Sequence, residues 1–106
     1  MSKWKDDTGN LTDVLCEFYA GKSVVPTCCV NPDVHTYFHK FNPSSTRGSA
    51  WSWCSNCKSF VHLDGFQANK NIPNCSTVDT SKLCAVPEYL DSIKSIIDTH
   101  NKSINI

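Results

Sequence analysis

The densest group of residues that could do chemistry is the hexapeptide Trp53-Cys54-Ser55-Asn56-Cys57-Lys58. Two cysteines three positions apart on a tight turn can place both sulfurs on one tetrahedral Zn²⁺ ion, at about 2.3 Å from the metal. One such pair supplies half of a four-ligand site, and the sequence holds no second Cys-x-x-Cys. Two further ligands must therefore come from elsewhere in the chain.

The ligand set that we favour consists of three cysteines and one histidine: Cys28, Cys54, Cys57 and His62. Neighbouring residues on a strand point to opposite faces, so we expect Cys28 to bind and the adjacent Cys29 to be buried as a small apolar residue, without binding the same ion. His62 completes a compact Cys-x₂-Cys-x₄-His arrangement. Two alternatives stay open: His62 lies on the solvent face of a strand, or the cysteines are reduced structural residues without a metal.

The hexapeptide also resembles the redox motif of thioredoxin-like proteins, which would make the chain a CxxC thiol redox protein. That motif opens a long helix whose N-terminus lowers the pKa of the first thiol. Here Phe60 to Leu63 alternate as in a strand, and Gly65 follows soon after. The four glycines are also too scattered to form a phosphate-binding loop. We therefore expect no enzymatic activity.

Trp51 and Trp53 alternate with smaller residues, so both indoles project from one face of a strand. Core packing is the simplest role for such a pair, and anchoring of a protein partner is the alternative that we retain. A second alternative is a zinc-ribbon-like nucleic-acid-binding module, in which the indoles stack on bases beside Lys40, Arg47 and Lys58. The isoelectric point near 6.9 argues against a dedicated nucleic-acid binder.

Two amphipathic helices are predicted, one near each end of the chain. An apolar stripe with Asn10 as its N-cap and Gly21 after its last member predicts a helix over 11–20. A second stripe, with Pro87 at the position of an N1 proline, predicts a helix over 87–100.

Between these helices the periodicity falls to two, which predicts short antiparallel strands at Ser23–Val30, Val34–Phe41, Ala50–Cys54 and Ser59–Leu63. The second segment also fits a helix, on which His35 and His39 would share a face. Residues 66–82 form an irregular connection long enough to need tethering or a function. The predicted fold is a single α+β domain over 1–106, with a small antiparallel sheet of three to five short strands, a helix at each end and a hairpin able to hold zinc.

Length and composition fit one domain, with 106 residues, 40% of them hydrophobic, and ten basic against ten acidic side chains. No apolar run approaches the roughly 20 residues of a membrane span, and no apolar segment follows the basic start as in a secretory signal. We therefore expect a cytoplasmic protein. Its seven cysteines, an odd number, should then be thiols or metal ligands rather than disulfides.

The order of these features resembles small immunity proteins of bacterial contact-dependent and other polymorphic toxin systems. The resemblance covers about residues 11–97 and includes the first amphipathic helix, Cys28 and Cys29, the segment Trp51-Ser52-Trp53-Cys54-Ser55-Asn56-Cys57, His62, Pro73 and the helix that opens with Pro87-Glu88-Tyr89-Leu90. It implies a non-enzymatic protein that binds one cognate toxin in the cytosol and blocks its active site. Nucleases are the commonest toxins of such systems.

Charge gives this hypothesis a physical basis. A nuclease site is basic because it grips phosphates, so clustered carboxylates on an inhibitor accelerate association and favour binding. Glu88, Asp91 and Asp98 share the polar side of the last predicted helix. We expect them to contact the toxin, with Trp51 and Trp53 as further partner-binding residues; the alternative for the carboxylates is a solvated helix face.

Overall fold

The computed structural model describes residues 3–6, 9–22, 24–68 and 70–104. Its elements in chain order are β1 (Lys5–Asp6), α1 (Asn10–Tyr19), β2 (Val34–Lys40), β3 (Arg47–Cys54), β4 (Ser59–Gln67), a 3₁₀ turn (Thr80–Lys82), α2 (Glu88–Ser92) and α3 (Lys94–Ser103). The predicted α+β fold, with helices towards both ends of the chain, is confirmed.

The four strands form one sheet in the order β1-β4-β3-β2. Strands β2, β3 and β4 form antiparallel neighbours, whereas β1 runs parallel to β4. The sheet is therefore mixed, and the prediction of a purely antiparallel sheet is wrong in this respect. Strand β1 is only two residues long and has no apolar alternation by which the sequence could reveal it.

Three of the four predicted strands are present, and the helical alternative for residues 34–41 is wrong. The predicted strand over 23–30 is also wrong: residues 24–27 have no regular structure, and 28–30 form a bend. Ser23 itself lies outside the described residues. The β-branched residues of this segment favoured a strand in the prediction. Pro26 opposes one, because proline lacks the backbone N–H that pairing with a neighbouring strand requires.

The sheet lies between two apolar clusters because alternate residues of β3 point to opposite faces. On one face Trp51 and Trp53 pack with Leu90 of α2 and Ile97 of α3. The other face lies beneath α1 and collects the buried residues Leu11, Leu15, Tyr19, Phe38, Ala50 and Val61. The result is a three-layer arrangement, helix on sheet on helix.

Helix α1 begins and ends one residue earlier than predicted. Gly21 follows its end, where it takes a left-handed conformation (φ 79°) and donates its N–H to the Phe18 carbonyl. The predicted capping role of Asn10 is wrong. Asn10 is the first helical residue, and its Oδ1 accepts the Thr27 N–H at 2.7 Å. The side chain therefore anchors the loop that carries Cys28 and Cys29.

The predicted helix over 87–100 is two helices. Ile93, with φ −120° and ψ 26°, separates α2 from α3, and Pro87 lies just before the first helical residue. Both pieces still bury apolar residues of the predicted stripe, Leu90 and Ile97. The stripe thus identified the packing face correctly but not the change of direction between the helices.

Side-chain amides cover the outer edge of β2, which is an edge strand of the sheet. Asn101 on α3 donates to the Thr36 carbonyl at 2.7 Å, and Asn74 accepts the Lys40 N–H at 2.8 Å. Asn74 belongs to the long connection after β4, whose residues Ile72, Cys75 and Val78 are buried. This connection is therefore tethered to the sheet, and it blocks one end of an edge that could otherwise pair with another chain.

Strand β4 contains a bulge. Gly48 pairs with Phe66 and Ser49 with Asp64, so Gly65 is the extra residue, and its φ is 82°. A positive φ is readily adopted by glycine and strained for other residues. The glycine thus allows β4 to continue to Gln67, four residues beyond the predicted end of the strand.

Candidate metal centre

Four cysteines converge at one end of the sheet: Cys28, Cys29, Cys54 and Cys57. Their sulfur atoms all lie within 4.8 Å of one another, and the Cys29 and Cys54 sulfurs are 3.8 Å apart. Four thiolates at about 2.3 Å from a tetrahedral zinc ion have sulfur–sulfur distances of about 3.8 Å. The cluster is therefore close enough to hold a metal ion, and its donor set is four thiols.

The turn between β3 and β4 places the Cys-x-x-Cys pair. Cys54 ends β3, and the Lys58 N–H donates to its carbonyl at 3.0 Å, with Lys58 at φ 62°. This geometry directs the Cys57 N–H towards the Cys54 sulfur, at 3.5 Å. No helix begins at the motif among the described residues, in agreement with the argument against a thioredoxin-like site.

The loop before β2 brings the second pair. Its carbonyls and amides are bound to the turn: the Ser55 N–H donates to the Asp33 carbonyl at 2.9 Å, the Asn56 amide donates to the Asn31 carbonyl, and the Asp33 N–H donates to the Cys54 sulfur at 3.4 Å. These contacts hold the loop against the turn without a metal. Two backbone N–H groups, from Asp33 and Cys57, also point at the Cys54 sulfur.

Cys28 and Cys29 both belong to the cluster, so the expectation that only Cys28 faces the ion is wrong. That expectation assumed a strand, in which adjacent side chains diverge. Residues 28–30 form a bend instead, and in a bend neighbouring side chains can turn to the same side. Cys29 is the site residue that sequence reasoning missed.

His62 is not in the cluster, and its assignment as the fourth ligand is wrong. It pairs with Trp51 across β3 and β4 and stacks on the indole with ring centroids 4.8 Å apart. Cys54 lies on the opposite face, since it is an odd number of residues from Trp51. The three remaining cysteines also lie outside the cluster: Cys75 is buried, and Cys16 and Cys84 are exposed.

The thiols influence one another electrostatically. Burial raises the pKa of the Cys28 thiol, and hydrogen bonds to Cys57 and Cys54 raise it further. Burial also acts to raise the pKa of Cys57, yet hydrogen bonds with Ser59, Cys28 and Cys54 bring it down to about 7. Cys57 therefore ionises more readily than Cys28, and a bound cation would favour the thiolate form of its ligands.

Trp51 and Trp53 are buried, with exposures of 3% and 0%, so their assignment as partner-binding residues is wrong. Trp51 donates its indole N–H to the Cys84 carbonyl at 2.9 Å, and Trp53 donates to Asp91 at 3.2 Å. Neither ring is available to stack on a nucleic-acid base. They are core residues, as the simplest interpretation of their alternation predicted.

The three carboxylates assigned to partner binding have different surroundings. Glu88 is exposed. Asp91 accepts from Trp53 and, at 2.5 Å, from the Ser55 hydroxyl, and it lies 3.6 Å from the Lys58 ammonium. Its carboxylate therefore makes contacts within the protein, and these contacts connect α2 to the Cys-x-x-Cys turn.

Asp98 takes part in a carboxylate–imidazole–carboxylate arrangement. Its carboxylate lies 2.9 Å from Nδ1 of the buried His35, and Asp33 lies 3.0 Å from Nε2 of the same ring. Both imidazole nitrogens thus face protein groups, which leaves neither of them directed at a substrate. The arrangement joins α3 to the segment that precedes β2.

Comparisons with known proteins leave the family open. The chain matches no protein-family model, no curated protein and no solved structure. In the part of the chain that the structure describes, no helix combines the length and the apolar character needed to cross a membrane. Function must therefore be inferred from the geometry of this chain's own residues.

Proposed function

We propose that the chain is a cytoplasmic, non-enzymatic immunity protein whose fold is stabilised by one zinc ion, and that it neutralises a cognate toxin, in the first place a nuclease, by covering its active site. The observation that carries the metal part is the convergence of four cysteine sulfurs within 4.8 Å. The toxin part rests on the order of motifs along the chain and on the chemistry of the surface around the cluster.

Zinc is the metal that this donor set favours. Four thiolates in tetrahedral arrangement suit Zn²⁺, and they leave no coordination position open for water or substrate. Such a closed site supports a structural role rather than catalysis. Its position between a loop and a hairpin turn fits this role, because the ion would join two segments that are about 25 residues apart in the chain.

A direct measurement tests the metal. Protein expressed in zinc-supplemented medium should contain about one zinc ion per chain by elemental analysis, and replacement by Co²⁺ should give the visible absorption of a tetrahedral thiolate complex. Protein that is metal-free after this expression, and that does not take up Co²⁺, would contradict the zinc assignment. A strongly coloured protein with stoichiometric iron would contradict it in favour of a different metal.

Toxin neutralisation is tested by recovery of the partner and by survival. The tagged chain, expressed in its native source, should retain a small nuclease through washing, and the recovered nuclease should lose its activity when the purified chain is added back at equal concentration. Cells that express the nuclease should survive only when this chain is co-expressed. A nuclease that binds but remains fully active would contradict active-site occlusion.

A further inference from the structure

We infer that the partner-binding surface is the metal loop, residues 24–33, together with the loaded cysteine cluster, and that it recognises the positively charged, phosphate-gripping surface of the toxin. This inference rests on the proposed function and replaces the acidic helix face as its contact surface. Three properties of the loop support this surface: its exposed apolar side chains, its charge when metal is bound, and the recess beside it.

The loop presents apolar side chains on a fixed backbone. Val25 and Val30 are 80% and 94% exposed, and each lies within three residues of a cysteine of the cluster. Residues 24–32 contain no charged side chain. The cores of protein interfaces are likewise depleted of charge. Since hydrogen bonds to Asn10, Ser55 and Asn56 already hold the loop, little conformational freedom would be lost on binding.

The loaded cluster makes this face negative. A divalent ion bound by four thiolates leaves a net charge of −2, and three of the four cysteines are only half-buried. Asp33 adds a carboxylate, which Lys94 approaches to 3.4 Å. The face therefore offers a concentrated negative charge to a surface built to bind phosphates, which favours fast association.

A recess beside the loop suits a basic side chain. Its volume is about 570 Å³, and Phe18 and Pro26 line it together with the carboxylates of Asp33 and Asp98, each 43% exposed. The aliphatic stem of an arginine can pack on such an apolar wall while the guanidinium meets the carboxylates. Lys102 also lines the recess and Lys94 pairs with Asp33, so two ammonium groups balance the two carboxylates there, and the net negative charge of this face comes from the loaded cluster.

An octa-arginine peptide, titrated into the zinc-loaded protein, probes the chemistry of this surface. The methyl signals of Val25 and Val30 should shift on titration. Cys29→His replaces one thiolate by a neutral imidazole and can keep the zinc ion, so it should weaken peptide binding about fivefold at low salt. Glu88→Gln removes one negative charge at an exposed position outside this surface; as the matched control it should leave the affinity nearly unchanged. Zinc content, measured for each variant, shows that the site remains loaded.

Two results of the peptide experiment would overturn the inference: methyl shifts confined to α2 and α3, or unchanged affinity in a Cys29→His variant that retains its zinc. If Cys29→His loses zinc, Val30→Lys provides the same test on an intact site, since it adds a positive charge beside the cluster without touching a ligand. Its affinity for the peptide should fall about fivefold, and an unchanged affinity would again overturn the inference.

The recovered nuclease separates this inference from the proposed function. Val30→Lys should lower its affinity about tenfold, whereas Ile96→Lys, which adds the same charge at a position 42% exposed on α3, should not. If Ile96→Lys weakens binding and Val30→Lys does not, the surface is wrong and the immunity function stands. If the wild-type chain fails to inhibit any nuclease while the peptide still binds at the loop, the function is wrong and the surface chemistry stands.

Discussion

Cys54 is the residue on which the cluster is centred. It is the fully buried member of the four, and its sulfur receives two backbone N–H groups and lies 3.8 Å from that of Cys29. Asp91 has a similar connecting role among the charged residues. Its carboxylate accepts hydrogen bonds from the core residue Trp53 and from Ser55 of the turn, and it pairs with Lys58. Both residues connect the hairpin turn to parts of the chain that are distant in sequence.

Replacement of Cys54 by serine should remove the metal. The free energy of unfolding should fall by about 4 kcal/mol when free zinc exceeds its dissociation constant a thousandfold, because the folded state loses that binding energy. Elemental analysis and urea unfolding measure the two effects. Cys16→Ser, at an exposed cysteine outside the cluster, is the control and should change neither. Zinc-loaded Cys54→Ser protein of wild-type stability would contradict the assignment.

Asp91→Asn should destabilise the protein in a pH-dependent manner. Burial acts to raise the pKa of Asp91, but the hydrogen bond from Ser55, the charge of Lys58 and the hydrogen bond from Trp53 outweigh it, so the pKa is lowered. The carboxylate therefore stabilises the fold above the ordinary value of 3.8, and this contribution is lost as the pH falls through the lowered pKa.

At pH 7 we expect Asp91→Asn to cost about 1–3 kcal/mol. As the pH falls through the lowered pKa, the difference between variant and wild type should shrink, because the wild-type carboxyl then becomes neutral as well. Urea unfolding of both proteins at each pH measures this, and loss of metal in acid affects both alike. A difference that stays constant with pH would show that the charge of Asp91 is not what stabilises the fold.

The site residues could be predicted from sequence only where local spacing decides them. The Cys-x-x-Cys spacing predicts that Cys54 and Cys57 belong to one site. Cys29 joins them because of a bend that no local sequence pattern predicts. His62 could have been excluded: a hairpin closed at residues 55–58 pairs it with Trp51, and therefore places it on the face opposite to Cys54. The contacts of Asp91 could not be foreseen, since its partners lie more than 30 residues away.

At the scale of elements, apolar periodicity identified α1 and the three long strands because each buries one regular face. It failed where the backbone departs from regularity. The break at Ile93 leaves the apolar stripe intact, and the bulge at Gly65 lengthens β4 beyond the predicted end. The metal loop contains β-branched residues that are typical of a strand, but hydrogen bonds to the hairpin turn determine its conformation.

Two glycines of the sheet should respond differently to alanine. A Cβ at Gly48 would collide with the His39 carbonyl and come within 2.6 Å of the Lys40 Cα, and both are backbone atoms of the neighbouring strand. Gly48→Ala should therefore cost about 3 kcal/mol through separation of β2 and β3. Gly65→Ala meets no atom within 4 Å and carries only the strain of φ 82°, about 1 kcal/mol.

Thermal unfolding of both variants measures these costs. The Tm of Gly48→Ala should fall by roughly 12–24 °C and that of Gly65→Ala by roughly 4–8 °C. Equal shifts would show that the close approach of β2 to β3 at Gly48 relaxes without loss of pairing.

At the scale of the whole molecule, the two apolar clusters lie on opposite faces of the sheet, and the cysteine cluster lies at one end of it. Of the four cysteines, Cys28 packs against an apolar cluster as a partly buried neighbour, and Cys54 is buried at the end of β3. The sheet and its helices are thus held by apolar packing away from the cluster, whereas residues 24–33 have no regular structure and are held by polar contacts, to which a bound ion would add.

Removal of the metal should therefore loosen one segment rather than the whole fold. After treatment with a strong chelator under reducing conditions, the far-ultraviolet circular dichroism should stay close to that of the loaded protein. Hydrogen exchange should accelerate for the amides of residues 24–33, and added zinc should reverse the change. Global unfolding on chelation would show instead that the ion is needed for the core.

All four cysteines of the cluster fall between residues 28 and 57, in the first part of the 106-residue chain. At about 5–20 residues per second of synthesis, roughly 2–6 s separate the addition of Cys57 from that of Glu88, the first residue of α2. During this interval the nascent polypeptide already contains all four cysteines of the site but not α2 and α3. It can therefore bind the ion while it is still attached to the ribosome. Early capture would protect four neighbouring thiols from oxidation before the C-terminal helices exist to cover the other side of the sheet.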